Sequence, residues 1–236
     1  MNNPGSILEP ACLYADQGQN DIRELVRVVK RYGCRSAVVH PVDLGDLFDL
    51  PINQQAVVID FPYGKGTPFQ RCVFAGRIFE SGVYKVDVCV NLAHVLSGDF
   101  GLIARDFCEL RSAAKDNDIV TPEIKAIIQL PYLWQYAPER IEPLVATLAD
   151  AGVKVIKDWT TVHNFSKPVD VSKEKRLEYL NHLKDIIVRL NLMLKIKIAG
   201  GVRKENARAF INGGADILGV GVQFVPDVIK ALESPE

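Results

Sequence analysis

Eight short apolar runs, each bounded by turn residues and alternating with stretches of helical periodicity, do most to limit the folds open to this chain. The runs are "SILEPACLY", "SAVVH", "AVVID", "YKVDVCV", "EIKAIIQL", "VKVIK", "LKIKIA" and "ADILGV". Short length and β-branched content make them strands, and strands apolar on both faces suit a parallel sheet covered by helices. Between them, "DIRELVRVVKRYG" and "TPFQRCVFAGRIFESG" are amphipathic and end on glycine stops, and "APERIEPLVATLADAG" has the same shape. "SKEKRLEYLNHLKDIIVRLN" opens on a serine cap with a charged first turn. After "SAVVH", the stretch "PVDLGDLFDL" supports only a short helix.

Eight strand-then-helix units in 236 residues predict a closed (β/α)₈ TIM barrel, a single domain over residues 1–236. A doubly wound open sheet would carry a glycine-rich nucleotide turn after its first strand, and "LYADQGQND" has one glycine. A net charge of −1 with scattered basic residues argues against a nucleic-acid groove or an anionic membrane surface. No apolar run approaches the roughly 18 residues of a membrane helix. Five widely spaced cysteines, and an N-terminus without a basic region leading into an apolar stretch, give a reduced, cytoplasmic protein as the expectation. The tail "ALESPE" is expected to fray.

A barrel presents its functional residues at the carboxyl ends of its strands, where the loops form one open mouth. The polar residues there are Glu9, His40, Asp60, Asp87 with Asn91, Gln129, Lys157 and Lys197. His40 and Gln129 have a plainer reading as hydrogen-bonded packing residues, and Asp60, ahead of "FPYG", as a binder of turn amides. Asp87 interrupts an apolar strand, and a carboxylate inside a barrel needs a cation or donors to offset its desolvation. Lys157 and Lys197 supply that partner. If they lie on the sixth and seventh strands, they stand about 5 Å apart. Two ammonium groups that close do not both ionise, so one amine falls neutral and can attack a carbonyl carbon to form a Schiff base. Asp87 would then shuttle protons directly or through water. The plainer reading is that both lysines only neutralise Asp87 and surface carboxylates.

These residues sit in local sequence that resembles the deoxyribose-phosphate aldolase family of class I aldolases, over nearly the whole chain. "VDVCVNLAHVLSGDF" is similar to the family's strand with an aspartate, an asparagine four residues on and a following Ser-Gly-Asp. "VVIDFPYGKG" is similar to its third strand and Phe-Pro-x-Gly turn, "KVIK" to the strand ending on the Schiff-base lysine, and "KIKIAGGVR" to the segment with the second lysine. The resemblance implies Lys157 as nucleophile, Lys197 as its pKa-lowering neighbour and Asp87 as acid/base group. It implies Gly200, Gly201, Gly221, Thr160 and Asn91 as substrate-binding residues, and cleavage of 2-deoxyribose 5-phosphate to glyceraldehyde 3-phosphate and acetaldehyde. The expected partner is a small aldehyde or sugar phosphate; a homo-oligomer is left open. No cofactor is expected, and no metal, since the four histidines show no His-x-His spacing.

The chain also departs from the family pattern. The first strand offers Glu9, Pro10 and Ala11 where the family has an aspartate, then a histidine and a threonine. Lys157 is followed by Asp158, Trp159, Thr160 and Thr161 instead of Thr-Ser-Thr-Gly, and Ala199 and Gly221 stand where serines are usual. Gly200 and Gly201 remain, with Arg203 beside them. These changes predict a weaker preference for phosphate. They keep open a related Schiff-base aldolase for a different or unphosphorylated substrate, and a sugar-binding barrel without catalysis.

Overall fold

The computed structural model describes residues 3–162 and 165–234. Eight strands run β1 (Leu8–Ala11), β2 (Ala37–Val39), β3 (Gln55–Ile59), β4 (Lys85–Cys89), β5 (Glu123–Ile127), β6 (Val155–Lys157), β7 (Lys195–Ala199) and β8 (Ile217–Gly221). Each pairs in parallel with the next, and β8 pairs back onto β1, closing the barrel in sequence order. All eight expected strands are present, and the expected barrel is the observed one.

The helices follow their caps. In α1 (Gln19–Tyr32), α2 (Pro68–Glu80), α6 (Ile141–Asp150) and α7 (Lys173–Arg189) the amphipathic stretches of the sequence are recovered. Thr67 caps α2 by accepting from the Gln70 amide, and Ser172 caps α7 by accepting from the Lys175 amide. "PVDLGDLFDL" forms only a 3₁₀ turn, Pro41–Leu47, as expected. Four helices complete the ring without having stood out by periodicity: α3 (Leu92–Ser97) and α4 (Phe100–Lys115) after β4, α5 (Leu130–Tyr136) after β5, and α8 (Ala207–Asn212) after β7. The tail differs from expectation. Helix α9 (Val225–Glu233) continues through Ala231 because Leu232 packs into the core, while Pro235 and Glu236 lie outside the described residues.

The main core fills the layer between barrel and helices, where burying each aliphatic side chain contributes about 1.5–3 kcal/mol. Inside the barrel the two halves differ. Val38, Ala56 and Val58, joined by Ala11, Leu13 and Phe61, make a small apolar cluster on the side of β1 to β3. The opposite side carries ionisable groups. Residues paired in register share a face, so Asp87 opposite Lys125, and Lys157 opposite Lys197, all point inward.

Candidate active site

Five buried ionisable side chains meet inside the barrel: Glu9 from β1, Asp87 from β4, Lys125 from β5, Lys157 from β6 and Lys197 from β7. Asp87 is the hub. Its Oδ1 accepts from Lys125 Nζ at 3.0 Å, and its Oδ2 accepts from both Lys157 at 3.0 Å and Lys197 at 2.8 Å. Glu9 Oε2 accepts from Lys197 at 2.5 Å, and its Oε1 faces Lys125 at 3.4 Å and Arg35 at 3.1 Å. Arg35 is also paired with Glu123 at the other end of the barrel. Gly219 makes room for this arrangement: a Cβ there would stand 2.9 Å from Ala199 Cβ and 3.4 Å from Lys197 Cε.

Counting charge identifies the odd member. Glu9 and Asp87 are two anions; Lys125 and Lys197 are two cations that each contact both of them. Arg35, beside Glu9, and Glu123, beside Lys125, pair with each other and cancel; Lys157 contacts Asp87 alone, so the cluster is electrically balanced when Lys157 is neutral. The balance of burial and neighbouring charge points the same way. Burial is the main force lowering the Lys157 pKa; Asp87 pulls the other way and Lys197 adds to the lowering. The direction is the one expected for one amine of the pair, with desolvation and not the neighbouring lysine as the larger cause. Burial alone would raise the Asp87 carboxyl, but Lys125, Lys197 and Lys157 outweigh it and hold the group well below the carboxylate range. Glu9 is likewise drawn down against its burial, to about 2, chiefly by Lys125 and Lys197. Lys125 is pushed up: burial opposes this, and Asp87, Glu9 and Glu123 prevail.

Above the cluster lies a cavity of about 250 Å³, with Glu9, Lys157 and Lys197 at its floor and Phe61, Thr160, Thr161, Gly200, Gly201 and Gly221 among its walls. Asp87 does not line it, so it meets the cavity only through the two lysines. Of the expected binding residues, Gly200, Gly201, Gly221 and Thr160 are there. The Thr160 hydroxyl, however, is already engaged with Gln129 at 3.3 Å and with the Val162 amide at 3.4 Å. Asn91 is not brought to the cavity: its carboxamide oxygen caps α3, accepting from the Ala93 and His94 amides. It lines a larger groove beside α2 and α4, outside the barrel, which holds none of the five clustered groups.

The other candidates take the plainer roles. His40 Nε2 meets the Leu13 carbonyl at 3.2 Å, and its ring sits edge-on to Phe61. Asp60 accepts from the Gly66 amide and from Arg71. Gln129 bridges Thr160 and the Pro62 carbonyl. Two buried cations beyond the sequence candidates, Lys125 and Arg176, bear on the site. Lys125 interrupts "EIKAIIQL" as Asp87 interrupts "YKVDVCV", so the signal was present. Arg176 of α7 is 3% exposed and ion-paired to Asp158 at 2.9 Å, yet nothing in its local sequence marks it.

No family model matches the chain. Whole-chain comparison finds a deoxyribose-phosphate aldolase of Methanothermobacter thermautotrophicus, 27% identical over 93% of this chain and 92% of that protein. One from Gloeobacter violaceus is 29% identical over 91% of this chain and 87% of that protein. Among solved structures, one titled "QR15, an Aldolase" superposes with a TM-score of 0.81 at 22% identity, covering 98% of this chain and 97% of its own. A deoxyribose-phosphate aldolase from Aeropyrum pernix, described as having a unique tetrameric structure, gives 0.79 at 23% identity, covering 98% and 91%. Among the described residues no helix is long and apolar enough to cross a membrane. Sequence and architecture together relate this chain, along nearly its whole length, to the deoxyribose-phosphate aldolases.

Proposed function

We propose that this chain is a class I aldolase of the deoxyribose-phosphate aldolase type, cleaving 2-deoxyribose 5-phosphate to glyceraldehyde 3-phosphate and acetaldehyde through a Schiff base on Lys157. The observation that carries this reading is the contact pattern: of the two lysines that open onto the cavity, Lys197 meets both Glu9 and Asp87 while Lys157 meets Asp87 alone, which supports Lys157 as the neutral amine. Its Nζ attacks the C1 carbonyl of the open-chain sugar, and the carbinolamine loses water to give an iminium. Removal of the C3 hydroxyl proton lets the C2–C3 electron pair flow into the iminium, releasing glyceraldehyde 3-phosphate and leaving an enamine. The enamine carbon takes a proton, water adds, and acetaldehyde departs with the lysine restored.

Asp87 stands 3.0 Å from Lys157 Nζ, where its anion offsets the iminium charge. Asp87 lies out of the cavity, so protons it exchanges with the substrate pass through water. The Lys197 ammonium reaches the cavity and can protonate the departing hydroxyl. A cytoplasmic location belongs to the same reading, supported by five cysteines that are all free thiols. The direct test is synthesis: acetaldehyde with glyceraldehyde 3-phosphate should give 2-deoxyribose 5-phosphate. Failure with every aldehyde offered, phosphorylated or not, would favour a binding protein.

Phosphate preference should be weak. Ala199 and Gly221 offer no hydroxyl, and Thr161, at φ 71°, packs its side chain against Gly200, whose own Cβ would lie 2.0 Å from Thr161 Cγ2. Each missing hydrogen bond to a charged group costs about 1.5–3 kcal/mol, so two cost about a hundredfold or more. The ratio of kcat/KM for glyceraldehyde 3-phosphate over glyceraldehyde is therefore expected below about 10⁴, the scale of two retained bonds. Gly221→Ser should raise it. A Cβ at 221 meets Gln223 Oε1 and Phe224 Cδ2 at 3.1 Å, and the flexible glutamine can yield. A ratio of about 10⁴ or more in the unaltered chain would show that other groups grip the phosphate.

A further inference from the structure

The loop after β7 lacks hydroxyls, yet it is held by a buried ion pair that the aldol mechanism does not use. Asp158 Oδ1 accepts from the Ala199 amide at 2.8 Å, and its Oδ2 accepts from Arg176 Nη2 at 2.9 Å and the Tyr179 hydroxyl at 3.3 Å. Arg176 donates in turn to two consecutive carbonyls, Ala199 at 2.9 Å and Gly200 at 2.5 Å. Its guanidinium also stacks on Phe210, 4.7 Å from the ring centre. Trp159 adds a third tie, donating from Nε1 to the Ala199 carbonyl at 2.9 Å.

In a planar trans peptide the N–H points opposite to the carbonyl that precedes it. With the Ala199 and Gly200 carbonyls turned to Arg176, the amides of Gly200 and Gly201 face away from it. Both residues line the cavity, and among the described residues neither amide has an acceptor. Both sit at positive φ, 73° and 61°, which glycine adopts without steric penalty. We infer that Arg176 and Asp158 are positioning residues for the anionic end of the substrate. By gripping the carbonyl side of two successive peptides, they present the amide side to the cavity as a pair of anion donors, in place of side-chain hydroxyls.

The identity of the substrate rests on the aldolase reading, so the test includes a probe that does not: inorganic phosphate. In Arg176→Lys the charge stays but the fork that spans two carbonyls is gone. The kcat/KM ratio of glyceraldehyde 3-phosphate over glyceraldehyde should fall about tenfold or more, mainly through KM of the phosphorylated substrate. Inorganic phosphate should weaken as a competitive inhibitor to a similar degree. An unchanged ratio with unchanged phosphate inhibition overturns the inference, and so does an equal loss for both aldehydes, which is the mark of a merely structural pair. If Arg176→Lys does not fold, Asp158→Asn keeps the guanidinium and an acceptor for Ala199, and the ratio should still fall about threefold; no fall overturns the inference. If the unaltered protein turns over no aldehyde, the aldolase reading fails separately. Thermal protection by phosphate over chloride at equal ionic strength still reads the subsite, and no such protection overturns the inference.

Discussion

Lys197→Leu is expected to lose about 10³ or more in kcat/KM at pH 7 and to recover part of it as pH rises. In the unaltered cluster, Lys125 and Lys197 balance Glu9 and Asp87, and Lys157 is free to be neutral. Without Lys197, Glu9 and Asp87 share Lys125, with Arg35 beside Glu9 already paired to Glu123, and Lys157, 3.0 Å from Asp87, keeps its proton as the second cation. Burial still acts on Lys157, but with Lys197 gone and Asp87 unopposed by it, the pKa moves up towards the ordinary value of about 10.4, at which roughly one molecule in 10³ is neutral at pH 7. Activity should climb about tenfold per pH unit until the amine titrates. Recovery stays incomplete because the ammonium that opens onto the cavity is also gone. A near wild-type rate, or a rate flat with pH in a folded variant, would contradict the charge count.

Asp87→Asn is expected to lose about 10²–10⁴ in kcat, with no recovery in alkali. The carboxylate is the anion that faces the developing iminium and the acceptor for three ammonium groups. With asparagine there, Glu9 is the one carboxylate left on Lys197, and Glu123, which also meets Lys125, is itself paired with Arg35, so imine formation would add a second uncompensated charge inside the barrel. Raising the pH can deprotonate a lysine but cannot restore the anion beside the iminium. Leaving buried cations without their partner should also lower stability by about 3–5 kcal/mol, read by urea unfolding. Rates restored at high pH would mean that Asp87 acts only by setting the protonation of Lys157.

The readily legible parts of the site are Asp87, which interrupts "YKVDVCV", and the two lysines. "VKVIK" and "LKIKIA" are so strongly strand-like that charge within them stands out, and a barrel in sequence order makes the sixth and seventh strands neighbours. Lys157 and Lys197 are indeed register partners. Lys125 was legible by the same rule, as the residue opposite Asp87 across β4 and β5, but that pairing exists only once the register is fixed. Asn91 misled because an asparagine ahead of a helix is already spent on local amides, and capping wins over reaching into a cavity. Thr160 lies where the resemblance put it, with its hydroxyl turned to Gln129. Arg176 had no legible signal. In "SKEKRLEYL" it is one charge among several on a helix, and only tertiary closure brings it under the β7 loop against Asp158.

The central claim is that Lys157 is the neutral amine that bonds covalently to substrate. Borohydride reduction during incubation with acetaldehyde or deoxyribose 5-phosphate, followed by peptide mass analysis, tests it in one step. The expected result is a reduced adduct on the peptide carrying Lys157, absent when borohydride is added without substrate. An adduct on Lys197 would reverse the two roles, and no adduct on any lysine under turnover conditions would contradict the Schiff-base account altogether.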